Sequence, residues 1–291
     1  MLQLIFNIII SSSIYLLIAT SFVIIYFPTK FFHIAHAGII TTGAYCVFFF
    51  ANKFSAGLSL SIILGLISTT LIGIFCEIFV YRKMRKSNVP SLAYLIASIG
   101  LYVIMQNCIS IYFGNDTKII NTTQVAIGNQ FLGAYITTIQ VVTVFISIAF
   151  FLAINSFLQF SSIGKCIRAV SSNAELCETY GIPSNKIIII TFGIGSFLAA
   201  AGGILSAMDT NMTPNFGFNC FLYGVVAMII GGVGSYRGLI FGAILLATAQ
   251  NLAAWYLDSK WMDAVAYIIL ILFLIWKPLG FSGQRLKKVE V

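Results

Sequence analysis

Charge is what this sequence has least of. Only 8% of its 291 residues are Asp, Glu, Lys or Arg and 59% are hydrophobic, at a mean hydropathy of +1.00, whereas a soluble domain carries roughly 25% charged residues. The shortage excludes a water-soluble fold. No polar stretch is long enough to form a second, soluble domain, so a single membrane domain over 1–291 is expected. Acidic groups are the scarcest, eight against sixteen Lys and Arg. Glu77, Asp209, Asp258 and Asp263 stand near the ends of apolar runs, which speaks against a self-powered secondary carrier, whose relay needs a charged group at mid-membrane. No nucleophile with a base and no HExxH pair stands within the runs, so no catalytic residue is assigned and the chain is read as a non-enzyme. The six cysteines form no CxxC pair and have no metal-ligand spacing, and neither a disulfide nor a metal site is expected. The N-terminus has no basic n-region and no small-residue cleavage site, so the first run is expected to remain as a membrane helix.

What is there instead is apolar sequence in nine runs: 4–26, 31–51, 58–81, 92–113, 134–157, 187–208, 218–230, 239–257 and 261–276. About 20 residues at 1.5 Å per residue cross roughly 30 Å of hydrocarbon. The expected fold class is therefore all-α, a polytopic integral membrane protein with about nine membrane-spanning or re-entrant helices. The run 218–230 is short for a full span and fits a tilted or re-entrant helix equally well. Small residues at helical spacing, Gly38, Thr42 and Cys46 in one run and Gly195, Ala199 and Gly203 in another, predict close helix neighbours. Glu77, near the end of its run, is expected to reach the interface or pair with Arg82. The glycine-rich turn 231–238 lacks the GK[ST] ending of a phosphate loop and is read as a turn. Asn121-Thr122-Thr123 matches a glycosylation sequon, a pattern common by chance.

The net charge of +8 reports orientation, not nucleic-acid binding, because the basic residues flank apolar runs in short loops. Placing Lys30, the 82–86 cluster, the 161–186 loop, Arg237 and the C-terminal tail on the cytoplasmic side leaves only Lys53, Lys118 and Lys260 opposite, as the positive-inside rule asks. The 161–186 loop and the C-terminus are then cytoplasmic, and the 114–133 loop, with a short hairpin, is extracytoplasmic.

Residues 161–186, SSIGKCIRAVSSNAELCETYGIPSNK, form a polar island between two apolar runs. Ser172 stands three residues before Glu175, the spacing of a capping box, while Gly181 and Pro183 mark a helix stop near Tyr180. A capped helix of about two turns is too short to stand alone in water. Its apolar residues Leu176, Cys177 and Tyr180 rest either on its own protein or membrane surface, or on a soluble partner.

Several stretches resemble one family. They are AHAGIITTGAY at 35–45, ASIGLYVIMQN at 97–107, GKCIRAVSSNAELCETYGI in the island, TFGIGSFLAAAGGIL at 191–205, IGGVGSYRG at 230–238 and KPLGFSG from Lys277. In this order and spacing they resemble the permease subunits of branched-chain amino acid ABC transporters, the shorter of the two permease types, over nearly the whole chain. Two departures are local: Ala37 follows His36 where the family usually has glycine, and FPTKFF at 27–32 replaces a glycine-bearing turn. The resemblance implies a bacterial inner-membrane subunit that works with a second permease, two cytoplasmic ATPase subunits and an extracytoplasmic solute-binding protein. It implies no cofactor in this chain, ATP being bound by the partners, and makes the island a coupling loop seated in the ATPase.

The residues expected to carry coupling are Arg168, Ala174, Glu175, Leu176 and Gly181; for Arg168 a charge facing lipid phosphates is the alternative. For the substrate path they are His36, Thr41, Thr42, Tyr45, Gln106 and Asn107, with Asn251 as an addition, all polar side chains in apolar runs. Helix-to-helix hydrogen bonding is the alternative for each, and His36, near one end of its run, has simple wetting as another. The expected cargo is branched-chain or other small amino acids; a urea or short-amide permease shares the same motifs, and an ion-coupled secondary transporter is the reading from another class.

Overall fold

The computed structural model describes residues 1–54, 57–87, 89–120, 128–131, 133–277 and 280–281. The Asn121 sequon, part of the 114–133 loop and most of the basic tail lie outside the described residues. Each apolar run becomes a helix, because lipid offers no partner to a free backbone N–H or C=O and a helix pairs both internally. In order these are α1 (Leu2–Thr29), α2 (His36–Lys53), α3 (Leu58–Cys76) continuing through a π-helical turn (Glu77–Tyr81) into α4 (Arg82–Lys86), and α5 (Ser91–Phe113). A ribbon of β1 (Asn129–Phe131) and β2 (Ala134–Ile136) leads to α6 (Thr138–Phe160). The island holds α7 (Ser162–Ser172) and α8 (Ala174–Thr179), followed by α9 (Ser184–Asp209), α10 (Phe216–Gly231), α11 (Tyr236–Tyr256) and α12 (Met262–Trp276).

Among the described residues seven helical stretches are long and apolar enough to cross a membrane. The shorter α10, at 16 residues, and α2, which carries His36, Thr41, Thr42 and Lys53, complete the nine expected. Two boundaries differ from the sequence reading. The fifth run does not start as a helix at Ala134: Ala134–Ile136 pairs with β1, and α6 begins only where the Thr137 hydroxyl accepts from Gln140 N and the Gln140 side chain returns to Thr137 N. A capping box outcompetes apolar character at that boundary. The island holds two helices, not one, because Gly164, Ile167 and Val170 give 162–172 a buried stripe of its own.

The core has an internal two-fold pattern that the sequence conceals. α1 and α9 run antiparallel in close contact, Gly195 lying over Ser21 and Ile25 and Gly202 over Leu17 and Ile18. α2 lies on α9, with Gly43 over Ala200 and Gly203 over the Ile40 carbonyl, as α10 lies on α1, with Gly224 over Ile18 and Ala19. α3 packs on α2 and α9, as α11 packs on α10 and α1. Helices α1–α3 and α9–α11 are thus two copies of one long–short–long unit in opposite directions, an inverted repeat. The stripe of Gly195, Ala199 and Gly203 serves two neighbours, α1 at one end and α2 at the other, where one was expected.

Candidate functional site

Residues of the expected path gather along α2. The chain leaves α1 at Lys30 and reaches α2 through a buried loop whose Phe32 carbonyl and Ile34 N–H both meet the Ser98 hydroxyl of α5. His33 and His36 are both buried there. The Nε2 of His36 is 2.8 Å from the Ser21 hydroxyl of α1, and its ring is walled by Phe22, Phe221 and His33. His36 is therefore not wetted at a helix end: α1 and α10 close over it, and among the described residues its Nδ1 has no hydrogen-bond partner. Thr41 is buried against Gly217 of α10 and donates to the Ala37 carbonyl at 3.1 Å. Thr42 is half-buried and donates to the Gly38 carbonyl at 2.7 Å. One turn further on, Tyr45 is buried beside Phe113, and its hydroxyl is unpaired among the described residues. Buried polar atoms are normally satisfied; α2 carries two that are not, as does α6 at Thr143 and Ser147 among the described residues.

α5 runs parallel to α2, with Ser98 at the loop, Met105 on Gly38 and Phe113 on Tyr45. Gln106 is half-buried beside this contact, whereas Asn107 is exposed, its amide donating to the Val103 carbonyl at 2.8 Å. Asn251 stands apart from the others. Its amide donates to Ala247 of its own helix and lies 3.3 Å from the Ser11 hydroxyl of α1, a helix-to-helix role. An open groove of about 370 Å³ between α3, α6 and α9 is lined by Ile62, Leu66, Phe150, Ile204 and Met208, with Thr138 as its hydroxyl; such walls suit hydrocarbon, not a polar solute.

The second locus is α7–α8. Ser161 caps α7, accepting from Gly164 N at 2.9 Å. Ser172 is not the cap of the short helix; it is the last residue of α7. Extended backbone at Asn173 (φ −155°, ψ 108°) makes that residue the cap instead, its Oδ1 accepting from Leu176 N at 2.9 Å. Gly181 closes α8 at φ 80°, with Gly181 N bonded to Glu178 O and Ile182 N to Cys177 O, the paired bonds of a Schellman stop. The expected stripe divides. Cys177 is buried, while Leu176 is 54% and Tyr180 79% exposed, with Glu175 also outward. Ala174 is half-buried under the Ser184 hydroxyl, which donates to its carbonyl at 2.9 Å. Arg168 lies on α7 and helps line a pocket of about 230 Å³ with Ile24, Phe27 and Tyr236, away from the α8 surface.

One cluster was missed in the sequence. Glu77, wholly buried, pairs with Arg85 rather than Arg82. In an α-helix residues eight apart are turned by about 80°; the wider π turn between them brings both to one side. Arg85 also lies 3.4 Å from Asn185 Oδ1 at the start of α9, and a cavity of about 330 Å³ lined by Arg85, Lys86, Glu175, Glu178 and Asn185 separates α4 from α8. A lone glutamate inside an apolar run was the available signal.

Residues 4–274 match the family described as branched-chain amino acid transport system, permease component. The chain is 29% identical to the high-affinity branched-chain amino acid transport system permease protein LivH of Escherichia coli K12, over 97% of this chain and 96% of that one. It is 28% identical to the corresponding protein BraD of Pseudomonas aeruginosa, over 94% and 92%. Among solved structures, PsaBC from Streptococcus pneumoniae in complex with Fab shares the fold at a TM-score of 0.51 and 12% identity, covering 92% of this chain and 90% of that one.

Proposed function

The chain belongs to the permease-component family of branched-chain amino acid transport systems, and from that membership we propose that it is one translocation subunit of an ATP-driven importer of branched-chain amino acids. The cargo follows the names of its relatives from two bacteria. In this reading the island is cytoplasmic, as the distribution of Lys and Arg favours. α8 docks on an ATPase subunit, and solute is delivered from outside by a binding protein. The observation that carries the reading is α8 itself: a six-residue helix, capped at both ends, that holds one side chain inward and presents Leu176 and Tyr180 outward from a polar loop. Exposed apolar anchors on a fixed helix are what a groove in a soluble partner receives.

A second permease completes the path. α5 packs within the chain chiefly on α2 and leaves Ile96, Val103, Ile104 and Ile111 exposed together with Asn107. Lipid cannot satisfy Asn107 or the half-buried Gln106, so we place a neighbouring subunit over this face and the solute between the two, with the half-buried Thr42 on the wall contributed by α2. Single cysteines at Leu176 and Tyr180 test the reading: they are expected to cross-link to the ATPase and to resist a membrane-impermeant thiol reagent added from outside. Labelling from outside, or uptake by purified protein without ATPase, would overturn it.

A further inference from the structure

The π turn Glu77–Tyr81 lies between the two loci and bonds toward each. On one side Glu77 holds Arg85, which reaches Asn185, and the neighbouring Ser184 holds the Ala174 carbonyl of α8. On the other side the Tyr81 hydroxyl is hydrogen-bonded at 3.0 Å to His33 Nδ1, and His33 packs edge-on against Tyr81, Phe192 and His36, the first residue of α2. Glu77, Tyr81, His33 and His36 are all buried. A π turn holds about one residue more than the α turn it replaces; closing it rotates the following segment by about 100° and slides it by about 1.5 Å. Closing the turn is thus a discrete step, and the observed open form is held by the Glu77–Arg85 pair and the Tyr81–His33 bond.

We infer that this π turn is the relay between the short island helix and the path: displacement of α8 and the start of α9 acts through Asn185 and Arg85 on Glu77, and the turn passes it through Tyr81 to His33 and the head of α2. Tyr81, Glu77, Arg85 and Asn185 are positioning residues that touch neither solute nor ATP. The inference rests on the docking of α8 proposed above. A bistable element biased from both ends is the physical requirement for such coupling, and on the α2 side the joint is the Tyr81 hydroxyl bond together with the edge-on ring contact to His33.

The test uses the complete transporter with its binding protein and ATPase subunits in proteoliposomes, comparing ATP hydrolysis with and without solute-loaded binding protein. Tyr81→Phe removes the hydroxyl alone, and Asn185→Ala cuts the opposite end at a half-buried surface position. Both are expected to keep subunit assembly and basal hydrolysis while losing stimulation by loaded binding protein, together with uptake. Full stimulation and uptake in Tyr81→Phe overturns the relay. If Tyr81→Phe does not assemble, Asn185→Ala decides alone, and wild-type stimulation in that variant overturns it equally. Absence of stimulation in the wild-type complex would refute the docking proposal itself, so the two failures are distinguishable.

Discussion

Replacing Gly181 by valine isolates one physical term. The glycine sits at φ 80°, and a Cβ built on it meets nothing within 4 Å, so there is no clash to relieve and the whole cost is backbone strain. A left-handed conformation costs an L-residue about 1–2 kcal/mol, and β-branching puts valine at the upper end. A cost near 2 kcal/mol lowers the population of the closed stop by a factor of about 30. A six-residue helix has no propagation energy to absorb that loss, so α8 is expected to fray from its C-terminal end and turn Tyr180 out of register. Gly181→Asn adds a side chain of comparable size at a residue type that tolerates the left-handed region, and serves as the control. Solute uptake and co-purification of the ATPase should fall steeply for Gly181→Val and little for Gly181→Asn, with both proteins inserted in the membrane at wild-type yield. Equal behaviour of the two variants would refute the argument that the left-handed stop, and not merely the absence of a side chain, shapes the docking helix.

Asn173→Ala should destabilise α8 by about 1 kcal/mol through loss of the cap, while Ser172→Ala stays near neutral; hydrogen exchange of the Leu176 amide separates the two. Gly203→Ala places a methyl against the Ile40 carbonyl and is expected to cost about 1–3 kcal/mol by overpacking, read as a lower thermal midpoint in detergent. Gly100→Ala, where a Cβ meets nothing within 4 Å, should leave that midpoint unchanged or raise it. Asn251→Leu removes the amide that donates to Ala247 and should lower stability by about 1 kcal/mol with transport per folded molecule intact. Asn107→Leu should do the opposite, keeping stability and lowering uptake.

The apolar runs were legible because a membrane demands them: any segment that crosses lipid must be long, helical and nearly free of charge, and those properties are written residue by residue. The stop at Gly181 was legible for the same local reason. Ser172 was the wrong cap because two spacings compete there. Ser172 precedes Glu175 and Asn173 precedes Leu176, each by three residues, and only the extended backbone at Asn173 decides. The partner of Glu77 was illegible because the π turn changes which residues share a face, and helical counting assumes that no such turn exists. His36, placed on the expected path, had wetting near one end of its run as an alternative; α10, almost 200 residues later, covers it, and nothing near His36 announces that. The inverted repeat was hidden because lipid-facing helices need only be apolar and closely packed ones need only small residues at the crossing, so two units can share a shape with little sequence in common.

That repeat also constrains how motion can travel. α9 is tied to α1, α2 and α3 through crossings at which a glycine on one helix or the other lets the chains approach closely, and close-packed contacts of this kind do not deform gradually. α8 joins α9 through the short turn 180–183 and the Ser184–Ala174 bond, so any displacement of α8 enters α9 first and is carried as a rigid unit. α2 shares these close crossings along its body and is fixed at its head by a loop, two histidines and a tyrosine hydroxyl, whereas α5 packs chiefly on α2 within its own chain. The loop at the head of α2 is joined to α5, its Phe32 carbonyl and Ile34 N–H both meeting the Ser98 hydroxyl. In the proposed importer the power stroke is therefore expected to move α5 relative to an unchanged α1–α2–α9 core. Spin labels across the α1–α9 pair should report one distance in both nucleotide states, while a pair across α5 and α9 reports two; two distances across α1–α9 would mean that the core itself rearranges.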